Sequence, residues 1–230
     1  MRDVFAAEQP RYDAFASWYH DWVAAPDDDL VARSLLRLIG AIADQRILDL
    51  GCGEGRIARL LAGQGNDVVG VDLSGPLLDI ARSDENRRIT YVHADVCTTD
   101  WWDGVAFDGV VSSMSLMDID DLEGAITTAA TTVRPGGWFA WSIIHPGFPG
   151  VGEIQPSWPR GGSYFDEGWW NTGGAGVRGR VGSNHRTLST YLNTLVVHGF
   201  ALEATDEPRW SPTPQDPPMP FFLVTRWRRG

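Results

Sequence analysis

The sequence predicts a doubly wound α/β fold, a mostly parallel sheet with helices on both faces, and three observations carry that prediction. Between residues 46 and 144, short apolar strand candidates alternate with segments of helical spacing. A glycine loop, GCGEG at 51–55, stands between the first strand and the first helix of that run. An aspartate, Asp72, closes the second strand, at the edge where such sheets open a ligand crevice.

Taken in order, residues 1–42 read as helix, because YDAFASWYHDW and DLVARSLLRLIGAI each place apolar residues three or four apart. They are expected to cover one end of the sheet. RILDL is a buried strand, and GRIARLLAGQG is a helix that spaces Ile57, Leu60 and Leu61 along one face and closes on Gly63 and Gly65. DVVGVDL is the second strand. The helix in SGPLLDIARSDE has Ser74 as its N-cap and Pro76 just inside its start. ITYVHAD and FDGVVSSMS follow as strands, then a helix over 119–133 and a strand in GGWFAWSIIH. From Pro146 to Arg186 the periodicity gives way to glycine, proline and aromatics, which reads as disorder or a functional lid, the aromatics favouring the lid. TLSTYLNTLVVHGF resumes as helix, and ALEATDEP and PFFLVTRW, separated by a proline-rich 212–220, suit a hairpin at the sheet edge.

At 230 residues the chain suits one domain with a full core. No apolar run approaches the roughly 18 to 20 residues of a membrane span, and the N-terminus mixes acids and aromatics where a secretory signal would be apolar. A cytoplasmic location and no membrane partner are expected. Cys52 and Cys97 form neither a disulfide framework nor a metal-type spacing, so free thiols and no metal are expected. The net charge is −11 and all 19 basic residues are arginine. Without lysine there is no Schiff-base or pyridoxal-phosphate chemistry, and an acidic chain with dispersed arginines argues against a nucleic-acid partner.

The glycine loop is no phosphate loop, and its third glycine comes one residue early for G-x-G-x-x-G. Glu54 lies within it and Asp49 two residues before it. Carboxylates there would repel a pyrophosphate but suit an ammonium or sulfonium group. LDLGCGEG, residues 48–55, resembles the first motif of class I S-adenosylmethionine-dependent methyltransferases, and four further segments resemble that family's motifs in order. The resemblance covers residues 46–145 and implies S-adenosylmethionine as cofactor and S-adenosylhomocysteine as product. It implies cofactor contacts from Asp49, Gly51, Cys52 and Gly53, with Asp72 on the ribose hydroxyls beside Leu73. In HADV it implies Asp95 on the exocyclic amine of the adenine and the Val96 backbone on its ring. In FDGVVSSMSLMDI it implies a carbonyl near Ser112 on the methionine ammonium, and VRPGGWFAWS matches the fifth-strand motif. The implied fold is Rossmann-like: a seven-stranded sheet in the order 3-2-1-4-5-7-6 with the last strand antiparallel. One domain then divides into a helical lid (1–42), a cofactor core (43–145), a substrate-side insertion (146–186) and a C-terminal helix and hairpin (187–230).

In that family an N-terminal helix closes over the methionine end of the cofactor, which makes Tyr12 and Tyr19 lid residues; Trp18 lies nearby, and Trp22 reads as facing the core. His145, Tyr164 and His185 are the candidate catalytic residues. His145 follows the fifth strand, as a general base or as an anchor for the next loop. Arg186 reads as the partner of a surface acid or of a substrate carboxylate, and His20, His93 and His198 as incidental. Trp138, Trp141, Trp158, Trp169, Trp170, Tyr164 and Phe165 divide between core and an aromatic cage for a flat or cationic acceptor. The expected activity is methyl transfer to an O, N or C atom of a small aromatic or amine-containing metabolite. Two alternatives stand beside it: a cyclase or rearrangement enzyme that binds the cofactor without methylating, and an NAD-dependent oxidoreductase.

Overall fold

The structure is a computed structural model that describes residues 10–23, 29–84, 86–150, 155–171, 173, 176–209 and 219–230. Residues 1–9 and 24–28 of the predicted N-terminal helices, and most of the proline-rich 212–220, lie outside the described residues. The main sheet is built from β1 (Arg46–Leu50), β2 (Asp67–Asp72), β3 (Ile89–His93), β4 (Phe107–Ser113), β5 (Val133–Ile144), β8 (Phe200–Asp206) and β9 (Phe222–Arg229). Their spatial order is β3-β2-β1-β4-β5-β9-β8. The pairs among β1 to β5 are parallel, and β9 runs antiparallel between β5 and β8, which is the expected order counted over this sheet. Two short strands, β6 (Gly168–Trp170) and β7 (Ser183–His185), pair separately inside the insertion, where the sequence offers no alternation to predict them.

Period two along the strands sends neighbouring side chains to opposite faces. Ile47, Val68 and Val111 pack with α2 (Leu30–Ile39) and α3 (Arg56–Gly63), whereas Leu48, Leu50 and Val110 pack with α5 (Leu122–Thr132) and α7 (Leu188–Val197). Each such fully buried aliphatic side chain contributes roughly 1.5–3 kcal/mol. Helix boundaries follow local chemistry. Asp29 caps α2 through the Val31 and Ala32 amides, and Ser74 Oγ accepts from Leu77 at the start of α4 (Gly75–Arg82), as predicted. The helix expected over 119–133 is shorter, because Asp121 accepts from Gly124 N and starts it at Leu122, and Val133 is already extended and opens β5.

The N-terminal third also differs from expectation. α2 is no lid: Val31, Ala32, Leu35 and Ile39 form a buried stripe against the sheet face. Among the described residues of the N-terminal third, it is Arg11 and Tyr12, the 3-10 turn Asp13–Phe15 and α1 (Ala16–Val23) that approach the strand ends. Trp22 is 55% exposed rather than core-facing, because it stacks on Trp18 along the outer side of α1. No helix among the described residues is long and apolar enough to cross a membrane.

One glycine is set by packing alone. A Cβ at Gly109 would lie 2.0 Å from Cε2 of the buried Trp138, its register partner in β5. Gly109→Ala is therefore expected to destabilise the fold by about 1–3 kcal/mol, read from the urea midpoint at unchanged slope.

Candidate functional site

The C-terminal ends of β1, β2 and β4 converge on the glycine loop. Gly51 and Cys52 both donate to the Val71 carbonyl, at 2.9 and 3.1 Å, so the loop turns back across β2. Two glycines are obligatory there. Gly51 (φ +73°) would place a Cβ 2.6 Å from Ser115 Oγ, and Gly55 (φ +80°) would place one against the Tyr91 hydroxyl. Asp72 holds the loop from β2: Oδ2 accepts from Gly53 N at 2.7 Å and Oδ1 from Ser74 N at 2.8 Å. Burial raises its pKa, and the Ser74 and Gly53 amides pull it back in part.

Asp49 sits beneath the loop, 1% exposed, on the face of β1 that meets α3. Burial pushes its carboxyl up to about 7, against an opposing hydrogen bond from the Ala58 amide and with an added push from the Asp72 charge. Its Oδ2 has no hydrogen-bond partner among the described residues. A buried, unpartnered carboxylate oxygen fits a ligand that brings a donor or a positive charge.

The remaining predicted cofactor residues ring this crevice. Cys52 is buried and its thiol is pushed up by burial; Leu73 is exposed and its carbonyl bonds the His93 ring at 2.9 Å. Asp95 is exposed and accepts from Cys97 N at 2.8 Å, and Val96 is buried beside it. Ser112 is fully buried, with its hydroxyl 2.5 Å from Ser115 Oγ, which donates to the Leu50 carbonyl at 3.0 Å. Two residues later Met114 adopts φ +57°, rare outside glycine, where the chain leaves β4.

The N-terminal segment crosses these strand ends and is tied to the loops after β1, β2 and β4. The His20 ring bonds Glu54 of the glycine loop, Asp13 accepts from Ser74 Oγ at 2.7 Å, and Tyr12 donates its hydroxyl to Asp118 at 2.8 Å. His20 is thus no incidental histidine; it occupies the Glu54 carboxylate that the sequence reading left facing the ligand. Tyr19 meets the Tyr12 ring edge-on at 5.1 Å, and burial pushes its hydroxyl up to about 12.

The three catalytic candidates do not come together. His185 is 2% exposed and lines a cavity of about 20 Å³ with Met117, Ile144, Trp170 and Arg178. Its Nε2 bonds the Tyr164 carbonyl at 2.8 Å, which places the proton of the neutral ring there and leaves Nδ1 as the acceptor. The Trp158 and Tyr164 rings flank it at 5.5 and 5.7 Å, and the Tyr164 hydroxyl accepts from Leu188 N. His145 points elsewhere. Its Nδ1 accepts from Gly147 N at 3.0 Å, its Nε2 lies 3.2 Å from Glu207, and its carbonyl accepts from Ser157 Oγ, so it pins the turn after β5. Burial lowers its pKa, against the opposing effect of Glu207.

Arg186 bonds no surface acid side chain among the described residues, though it lines the same small cavity as His185. It is buried and donates to the Leu116, Ile119 and Asp120 carbonyls, because the loop after β4 leaves those acceptors without secondary-structure partners. Of the aromatics, Trp138, Trp141 and Trp170 are core, while Phe165 and Trp169 are exposed, with Arg11 over the Trp169 ring. The sequence reading missed Asp118 and Arg178. They form a buried ion pair across 60 residues of chain, between the loop after β4 and α6 (Val177–Val181), with no local pattern to announce it.

Comparison with known proteins agrees with this geometry. The methyltransferase-domain family matches residues 48–141. An uncharacterized methyltransferase of Mycobacterium tuberculosis is 35% identical over 108 residues, 46% of this chain and 54% of the relative. A ubiquinone biosynthesis O-methyltransferase of Alkalilimnicola ehrlichii is 30% identical over 152 residues, 63% of this chain and 62% of the relative. The chain spans about half the length of the first curated relatives it matches. The crystal structure of an S-adenosylmethionine-dependent methyltransferase from Mesorhizobium loti superposes with a TM-score of 0.66 at 29% identity, over 93% of this chain and 100% of that one. These likenesses set aside the oxidoreductase alternative. With five motif segments in order and the sheet order that they imply, the chain is similar in sequence and fold to the class I S-adenosylmethionine-dependent methyltransferase superfamily, and residues 48–141 match its methyltransferase domain.

Proposed function

We propose that the protein transfers the methyl group of S-adenosylmethionine to an O, N or C atom of a small acceptor, aromatic or amine-bearing, seated between the N-terminal segment and the insertion. The observation that carries this reading is the pair of carboxylates at the ends of β1 and β2, the buried Asp49 with an oxygen unpartnered among the described residues and the half-buried Asp72 bound to the glycine-loop amide. When bound, the cofactor supplies an electrophilic methyl on a sulfonium. The chain's part is mostly positioning. Asp72 orients the ribose with its remaining lone pairs, the amides and carbonyls from Gly51 to Gly53 and near Ser112 hold the methionine end, and Asp95 and Val96 frame the adenine. Tyr12 and Tyr19 exclude water above it. For an acceptor that must lose a proton, His185 takes it at Nδ1 through a water, since its Nε2 is committed to the Tyr164 carbonyl and the cavity of about 20 Å³ that it lines, and His145 does not, has room for a water rather than for the acceptor.

Calorimetric titration with S-adenosylmethionine, S-adenosylhomocysteine and NAD tests the reading. Binding of both adenosyl ligands and not NAD supports it, and binding of NAD alone defeats it. Asp72→Ala is expected to weaken S-adenosylhomocysteine about ten- to a hundredfold, by the roughly 1.5–3 kcal/mol of two hydrogen bonds to a charged acceptor. Unchanged affinity in that variant sinks the ribose assignment.

A further inference from the structure

The loop after β4 is held from both sides, and one side chain in it is shared. From the insertion, Arg186 takes the Leu116, Ile119 and Asp120 carbonyls and Asn184 N takes that of Met117 at 2.7 Å, so the backbone around Asp118 is fixed. Its carboxylate is 15% exposed. It accepts from Arg178, which lines the cavity beside His185, and from the Tyr12 hydroxyl, which belongs to the segment crossing the cofactor crevice. Arg178 is itself only 14% exposed and bonds the Gly182 carbonyl at 3.0 Å at the end of α6. Arg11 of the N-terminal segment also meets this loop, donating to the Asp118 carbonyl at 3.2 Å and to both carboxylate oxygens of Asp120, but neither contact reaches the Asp118 carboxylate or Arg178.

We propose that Asp118 is a positioning residue that couples the N-terminal segment to the insertion: closure of Tyr12 over the cofactor completes the hydrogen bonding of the carboxylate that holds Arg178 at the cavity beside His185. In a poorly solvated place a carboxylate that loses one donor binds its remaining partner in a different geometry. Opening of the N-terminal segment therefore loosens α6, and a ligand that closes it firms the cavity wall. This rests on the cofactor reading above.

Amide hydrogen exchange of the full chain with and without saturating S-adenosylhomocysteine tests it, because the readout is a ligand-dependent change rather than a basal rate. In the unaltered protein the ligand is expected to slow exchange at 177–182 at least about threefold, along with 12–23. In Tyr12→Phe, which keeps the ring and loses the hydroxyl, and in Asp118→Asn, the slowing at 177–182 is expected to vanish while that near the glycine loop persists. Equal slowing of 177–182 in Tyr12→Phe overturns the coupling, whether or not Asp118→Asn folds. Ligand binding with no change at 177–182 in the unaltered protein overturns it too. No ligand binding at all overturns the cofactor reading as well, so the two failures are distinguishable.

Discussion

Affinity for S-adenosylhomocysteine is expected to rise from pH 5 to pH 8 by up to about a hundredfold, and to become nearly flat over that range in Asp49→Asn. The reason is the buried carboxyl beneath the glycine loop. Burial raises it to about 7, so below neutral pH the free protein carries it protonated. A ligand that brings an ammonium into the crevice favours the carboxylate, and binding then releases a proton. Each pH unit below about 7 costs up to about tenfold in affinity, because the proton must leave first. Calorimetry at pH 6 in two buffers of different ionisation enthalpy checks this directly. The apparent enthalpies should differ by the buffer difference times the protons released in the unaltered protein, and should coincide in Asp49→Asn. Coincidence in both would mean that Asp49 does not sense the ligand.

The same shift acts on folding with the opposite preference. A carboxyl raised on folding favours the native state at pH below its unfolded value near 4, and that advantage is lost as pH climbs through about 7. The loss is at most about 4 kcal/mol in the free protein. Asp72, raised in the same direction by burial, adds to it. The buried Asp49 and the half-buried Asp72 at the strand ends thus lower the stability of the free protein in the range where the ligand is expected to bind best, and ligand binding restores it.

What the sequence made legible were features written locally. Ile47, Leu48 and Leu50 alternate between two cores, Ser74 and Pro76 mark a helix start, and the glycines of the first loop stand where positive φ and close approach demand them. The order of the main sheet came with the resemblance, and the antiparallel β9 fits it. Illegible were the partners that meet only in three dimensions. His20 lies 34 residues from Glu54, and Arg178 lies 60 from Asp118; in a chain with 30 acids nothing in spacing singles out either carboxylate. The insertion hid β6 and β7 because its backbone bonds are made to other segments, as Asn184 to Met117, rather than in a periodic element. The carbonyl acceptors of Arg186 were hidden for the same reason, since every residue carries one.

The Arg178–Asp118 pair is expected to show the largest stability effect of any single side chain in the site. Arg178→Met should destabilise the fold by about 3–5 kcal/mol, because it leaves the Asp118 carboxylate buried with the Tyr12 hydroxyl as its only remaining side-chain donor among the described residues. Burial by itself would lower the guanidinium pKa; the charge of Asp118 outweighs it and holds it above its ordinary value, so Arg178 stays charged at any working pH. Asp118→Asn should also destabilise, since it strands the arginine instead. The double variant Asp118→Asn, Arg178→Met should be less destabilised than the sum of the two by at least about 2 kcal/mol, because neither charge is then left alone. The cycle also separates charge from capping. Arg178 bonds the Gly182 carbonyl, and that bond is lost in Arg178→Met and in the double variant alike, so any recovery between them reports the charge. Urea unfolding of all four proteins at pH 7 without ligand gives the comparison. A cost below about 1 kcal/mol for Arg178→Met would mean that water reaches the carboxylate as freely as at the surface, and a wall so well solvated would not transmit closure of the N-terminal segment to the cavity.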